Sequence, residues 1–111
     1  MAVSDQVLVI LGATASGKSA LALEVARRAG GEILSVDSMQ VYRGMDVGTA
    51  KPSPADRDEV RHHLIDVARP DEVFTVARFV ETADAVIEDA RRRRVPLVAT
   101  GGTPLYYKAL F

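Results

Sequence analysis

The chain has 111 residues, 48% of them hydrophobic and 26% charged, with a formal net charge of −1 and no cysteine. That balance fits one ordinary globular domain, or part of one, and speaks against a disordered chain or a coiled coil. It provides no global basic field for nucleic acid or an anionic membrane, although a local basic groove is compatible with it, and it rules out disulfides and thiolate metal sites.

Residues 1–6 are polar, carry Asp5 and lack a basic leader. The apolar run that follows is too short for a signal-peptide core or a membrane span, so a cytoplasmic protein with no membrane partner is expected. Residues 6–11 read Gln-Val-Leu-Val-Ile-Leu, a continuous run that predicts a strand buried on both faces of a parallel sheet. Residues 19–29 carry Leu21, Ala22, Val25, Ala26 and Ala29 at helical spacing, and Gly30-Gly31 ends that helix. Residues 32–36 predict a second strand, which delivers Asp37 at its end. A strand–helix–strand unit with short connections is the building block of an α/β fold.

From 38 to 52 the period is lost and Gly44, Gly48 and Pro52 appear, which predicts mainly loop; long irregular loops in compact domains tend to be functional. Ser53-Pro54 predicts an N-cap with proline at the first helical position, opening a polar helix to about His62. Residues 64–67 predict a short strand. Thr75 caps the clearest helix, with Val76, Phe79, Val80, Ala83, Ile87 and Ala90 on one face and Arg91 to Arg94 at its end. Residues 96–100 predict another strand, followed by Gly101-Gly102. The last segment, from Leu105 to Phe111, reads as an apolar helical start that stops without a cap or a polar tail, so the chain is expected to be the N-terminal piece of a longer protein.

The segment Gly12-Ala13-Thr14-Ala15-Ser16-Gly17-Lys18-Ser19 matches the G-x-x-x-x-G-K-[ST] phosphate-binding loop in full, between a predicted strand and a predicted helix. Gly12 and Gly17 allow close backbone approach. Successive N–H groups and the helix N-terminus form a nest for phosphate oxygens. Lys18 supplies a point charge, and the Ser19 hydroxyl is placed to ligate Mg²⁺. The expected fold is therefore an α/β, P-loop NTPase-like domain with a mostly parallel β-sheet flanked by helices. The loop alone serves an ATPase, a small-molecule kinase or an enzyme of another diphosphate. Asp37, at the carboxyl end of a strand, faces the ligand crevice of such a sheet. Three roles are open to it: Mg²⁺ ligand, general base or loop-capping aspartate.

The run Ser35-Val36-Asp37-Ser38-Met39-Gln40-Val41-Tyr42-Arg43-Gly44-Met45-Asp46-Val47-Gly48-Thr49-Ala50-Lys51-Pro52 closely resembles the signature of the tRNA dimethylallyltransferases, also called tRNA isopentenyltransferases. His62-His63-Leu64-Ile65-Asp66, the Pro70-Asp71-Glu72 turn before Phe74, and Gly101-Gly102-Thr103 before Leu105-Tyr106 agree in order. In the P-loop, Ala13 stands where proline is usual in that family. The resemblance runs from about Val7 to Phe111. It implies transfer of a dimethylallyl group from dimethylallyl diphosphate to the exocyclic amine of the adenosine 3′ of the anticodon in tRNA, with release of pyrophosphate. By the same resemblance the P-loop holds the leaving group, with Lys18, Ser19 and Mg²⁺ stabilising it. Asp37 is implied as the general base or orienting group on the adenine amine, and Ser38, Met39 and Gln40 line a flipped-out adenosine. The remaining core and a helical insertion that grips the anticodon arm would lie outside these residues, and a monomer is expected for the full-length protein. The alternatives are an adenylate isopentenyltransferase acting on free AMP, ADP or ATP, a P-loop small-molecule kinase, and a non-catalytic nucleotide-binding fragment.

Other residues carry plainer expectations. Adjacent His62 and His63 lack metal-ligand spacing and read as structural. Arg91 to Arg94 read as a solvated helix end. Arg43 and Lys51 are candidates for substrate or RNA phosphate contacts. Gly101 and Thr103 sit at the crevice edge as RNA contacts, with a tight turn as the alternative. Tyr42 and Tyr106 either stack on a base or pack in the core.

Overall fold

In the computed structural model, which describes residues 2–4, 7–9, 17–44 and 51–111, the strands are β1 (Ala2–Ser4), β2 (Val7–Val9), β3 (Glu32–Ser35), β4 (His62–His63) and β5 (Leu97–Thr100). The helices are α1 (Gly17–Ala29), α2 (Pro54–Glu59), α3 (Val76–Arg93) and α4 (Pro104–Leu110). The strands form one sheet in the order β1-β2-β5-β3-β4. Every pairing is parallel except that of β1 with β2. The expected α/β architecture with a mostly parallel sheet is present.

The alternation of side chains along β3 and β5 sorts the core onto two sides. Leu34, Val36, Leu97 and Ala99 join Phe79, Ala83 and Ala90 of α3 and Tyr106 of α4. Ile33 and Val98 face the other way, against Ala22 and Ala26 of α1 and against Val60. A strand covered on both faces needs apolar residues at every position, which is why these strands read as continuous runs. Phe79 is fully buried and stacks on Tyr106, with ring centroids 4.0 Å apart. Tyr106 is thus a core residue. Among the described residues no helix is long and apolar enough to cross a membrane.

Several boundaries differ from expectation. β1 forms from the polar N-terminal stretch, where Ala2 pairs with Val9 and Ser4 with Val7; a short edge strand needs little apolar signal. The strand expected at 64–67 is at His62–His63, paired with Ile33 and Leu34. Leu64 and Asp66 have φ of 68° and 58°, left-handed values that end an extended segment, although Leu64 and Ile65 remain buried. α2 stops at Glu59 rather than near His62, because Val60 turns extended and enters the core. Its start is as expected, with Ser53 Oγ accepting from the Asp56 N–H at 3.1 Å. Thr75 likewise caps α3 by accepting from the Arg78 N–H at 3.1 Å.

At the amino end of β3, Glu32 ties three elements together. Its carboxylate accepts from His63 Nε2 at 2.7 Å and from Arg93 Nη1 and Nη2, each at 3.0 Å. Arg93, followed by His63, outweighs the opposing effect of burial and holds the Glu32 carboxyl at about 2, against an ordinary value of 4.5. A carboxyl depressed on folding contributes stability that is complete above its unfolded value and is lost as pH falls from about 4.5 towards 2. Glu32→Gln should therefore cost about 2 kcal/mol near neutrality, partly exposed Arg93 limiting the figure. Denaturant unfolding should show that difference shrinking between pH 5 and pH 2.5; a difference independent of pH would contradict the assignment.

Candidate functional site

In a parallel sheet the carboxyl ends of the strands open onto the ligand crevice. Here that edge gathers residues 36–43 after β3, residues 101–103 after β5, and the amino end of α1. The orphan N–H groups at a helix start favour anions. Residues 12–16 of the phosphate-loop motif lie outside the described residues. Gly17, Lys18 and Ser19 open α1, while the Lys18 and Ser19 side chains are also outside what is described.

Asp37 leaves β3 and folds its carboxylate back over its own loop. Oδ1 accepts from the Met39 N–H at 2.8 Å and the Gln40 N–H at 3.1 Å. This side-chain turn is the capping role in physical form. It occupies one carboxylate oxygen and fixes the direction of the other, and a carboxylate has lone pairs for further work.

The two crevice loops are joined to each other. The Ser38 N–H donates to Thr103 Oγ1 at 2.9 Å, and the two hydroxyls lie 3.3 Å apart. The Thr103 N–H donates to the Val36 carbonyl at 3.2 Å. The Thr103 hydroxyl thus serves as a brace between loops. Gly101 is required for steric reasons: it has φ 156°, and a Cβ there would lie 2.3 Å from the Val36 carbonyl oxygen. The Tyr107 hydroxyl donates to the Gly101 carbonyl at 3.2 Å. Burial, with the nearby Asp37 charge adding to it, pushes Tyr107 up to about 12, so it remains a neutral donor.

Beside these loops, on the α1 side of the sheet, is a cavity of about 350 Å³. Its wall includes Ala20, Leu23, Ile33, Ser35, Gln40 and Thr100. Ser35 is buried, and its hydroxyl donates to Gln40 Oε1 at 2.9 Å. Met39 is 44% exposed, so the short segment after Asp37 presents both an apolar and an amide group. Ser35 and Thr100 were not among the candidates from sequence. Their signal was available: each is the last residue of its strand, at the alternation position facing α1.

The basic candidates divide. Arg43 is exposed, and its Nε donates to the Asp66 carbonyl at 3.0 Å. Lys51 turns inward: Nζ meets the Tyr42 carbonyl at 2.7 Å and Asp66 Oδ1 at 2.5 Å, with the side chain 7% exposed. This ammonium joins the Tyr42 and Asp66 segments, and Lys51 also lines the cavity beside the crevice loops. Tyr42 is half-buried, and its hydroxyl accepts from the Phe74 N–H at 3.1 Å. His62 Nδ1–H donates to the Val60 carbonyl at 2.7 Å, and burial lowers its pKa. His63 is held by Glu32, and among the described residues no cluster suited to a metal ion occurs. Arg91 to Arg94 are exposed at the end of α3, with Glu88 and Asp89 as partners of Arg91, Arg92 and Arg93.

Comparison with known proteins adds a second line of observation. The family model described as IPP transferase matches residues 40–111. The chain is 62% identical over 104 residues to a tRNA dimethylallyltransferase of Dictyoglomus turgidum, which covers 93% of this chain and 32% of that protein. It is 60% identical over 107 residues to a tRNA dimethylallyltransferase of an Anaeromyxobacter species, covering 96% of this chain and 35% of that protein. The crystal structure of the full-length tRNA isopentenylpyrophosphate transferase of Bacillus halodurans superposes with a TM-score of 0.89 at 44% identity, over 96% of this chain and 35% of that one. The chain spans about a third of the length of the relatives it matches.

Proposed function

The chain belongs to the IPP transferase family, and from that premise we propose that it is the diphosphate-gripping, adenosine-facing part of a tRNA dimethylallyltransferase. The observation that carries this reading is the position of Asp37. It stands at the carboxyl end of β3, with its loop braced against the 101–103 loop, at the edge where α1 begins.

In the proposed reaction the exocyclic nitrogen of the adenosine 3′ of the anticodon attacks the allylic carbon of dimethylallyl diphosphate. The new C–N bond forms as the C–O bond to the diphosphate breaks, and pyrophosphate departs with the bonding pair. Asp37 accepts the proton that the amine must lose, which lowers the barrier for a poor nucleophile. The backbone N–H groups of Ala15 to Lys18 and the Lys18 ammonium hold the departing oxygens, as preorganised donors do wherever charge develops. The Ser19 hydroxyl is a hard oxygen donor of the kind Mg²⁺ takes, and the bound ion would spread the diphosphate charge. The apolar part of the cavity, from Ala20, Leu23 and Ile33, offers room for the five-carbon chain near the first turn of α1. Ser38, Met39 and Gln40 meet a base that has left its stack. Arg43 carries an RNA phosphate, and Gly101 and Thr103 shape the wall facing the RNA. The reading expects a cytoplasmic monomer, with ATP having no chemical role.

The test uses protein expressed from its full reading frame, with labelled dimethylallyl diphosphate and two acceptors, anticodon stem-loop RNA and free AMP, and a separate arm with ATP. Label should pass to anticodon stem-loop RNA. Transfer to free AMP and not to RNA would contradict the tRNA assignment, and phosphorylation that needs ATP would contradict prenyl transfer altogether. In the same assay Lys18→Ala should raise the KM for dimethylallyl diphosphate by roughly 10–100-fold, more than it raises the KM for RNA.

A further inference from the structure

Asp66 lies behind the crevice, and it holds the crevice loop from several directions. Its carboxylate takes Lys51 Nζ on Oδ1 at 2.5 Å and Arg57 Nη1 on Oδ2 at 2.7 Å. Its carbonyl accepts Arg43 Nε at 3.0 Å, and its N–H donates to the Gln40 carbonyl at 3.0 Å. Lys51 carries the connection on to the Tyr42 carbonyl. The next two N–H groups, of Val67 and Ala68, both go to the Val41 carbonyl, at 2.8 and 2.9 Å. Residues 40–43 are thereby stitched to residues 66–68.

The conformation that allows this is unusual. Asp66 has φ 58°, a left-handed value that aspartate tolerates better than most residues but that still needs support from its surroundings. The two cations supply it. Burial alone would raise the Asp66 pKa, and the hydrogen bonds from Lys51 and Arg57 overcome that and lower it. The carboxylate therefore stays charged, and the turn stays closed on its partners.

One bonded path leads from this turn to the crevice. The Asp66 N–H holds the Gln40 carbonyl, and the Gln40 N–H holds Asp37 Oδ1. Whatever fixes the peptide planes of Gln40 also fixes the carboxylate of Asp37. We propose that Asp66 is a positioning residue for the transfer reaction, acting through Gln40 on Asp37; this rests on the function proposed above. A displacement of about 1 Å at a reacting group costs on the order of a hundredfold in rate.

Asp66→Asn is the informative variant, because asparagine tolerates the left-handed backbone and can still accept from Lys51 while presenting an N–H group to Arg57. In protein from the full reading frame, kcat on anticodon stem-loop RNA should fall by about tenfold, with the KM for dimethylallyl diphosphate within about twofold and the circular dichroism spectrum unchanged. In an Asp37→Ala background, single-turnover measurements should show Asp66→Asn adding almost nothing, because the two act on one path. An unaltered kcat, or the same fold-loss in both backgrounds, would overturn the proposal while leaving the transferase reading in place. No transfer to RNA by the unsubstituted protein would overturn both.

Discussion

Asp37→Ala should slow prenyl transfer to anticodon stem-loop RNA by about 10²–10⁴-fold and leave the affinity for dimethylallyl diphosphate within about twofold. The range is that of a lost general base, and the geometry explains why the diphosphate should be spared. The Asp37 carboxylate is engaged by the N–H groups of Met39 and Gln40, in the loop after β3, whereas the phosphate grip is assigned to the loop before α1. Asp37→Asn separates the turn from the chemistry. Its amide oxygen can still accept from Met39 and Gln40, so the turn survives, but it cannot take a proton. A rate near that of the unsubstituted protein would reduce Asp37 to a loop cap. A collapse of diphosphate affinity in the presence of Mg²⁺ would make it a metal ligand. Single-turnover kinetics with equilibrium binding of the diphosphate distinguish all three.

Gly101→Ala should destabilise the protein by about 2–4 kcal/mol and reduce transfer further than the loss of folded protein explains. The comparison that gives this meaning is Gly30. Both glycines have positive φ, 66° at Gly30 and 156° at Gly101. A Cβ at Gly30 meets nothing within 4 Å, so Gly30→Ala carries only the conformational cost of about 1–2 kcal/mol. At Gly101 the same atom would lie 2.3 Å from the Val36 carbonyl oxygen and 2.5 Å from its carbon. Backbone has to move, and the backbone in question is that of Val36, next to Asp37 and bonded to the Thr103 N–H. Unfolding midpoints of the two variants, measured with activity per folded molecule, test this. Equal losses at both glycines would mean that close packing of the crevice loops does not matter.

The crevice shows why some of the molecule was legible in the sequence and some was not. Local signals carried well. Thr75 and Ser53 cap the helices expected of them, and the Phe79–Ala83–Ala90 stripe faces the core. The stripe on α1 was only partly right: Ala22 and Ala26 are buried while Leu21 is 52% exposed, since that helix meets the sheet through its small residues. β1 has no signal in the sequence and β4 lies two residues before its expected start, because strands of three and two residues hold too few positions to show a period. The reading of Asp37 and Ser38–Gln40 as crevice residues followed from strand polarity and family resemblance. The brace from Ser38 to Thr103 spans 65 residues of sequence, and no local pattern announces it. Lys51 shows the same limit: its bonds to Tyr42 and Asp66 join loops that no local pattern connects. A lysine in a loop defaults to solvent, whereas this one is enclosed, with its ammonium on the Tyr42 carbonyl and Asp66 Oδ1.

The most direct test of the central claim is a position-resolved product analysis. Protein from the full reading frame, anticodon stem-loop RNA, dimethylallyl diphosphate and Mg²⁺ are incubated together. The RNA is then digested and read by mass spectrometry while pyrophosphate is quantified. One dimethylallyl group on the exocyclic nitrogen of the adenosine 3′ of the anticodon, with one pyrophosphate released per group, is the predicted result. Pyrophosphate release without RNA modification, or modification at another position, would contradict it.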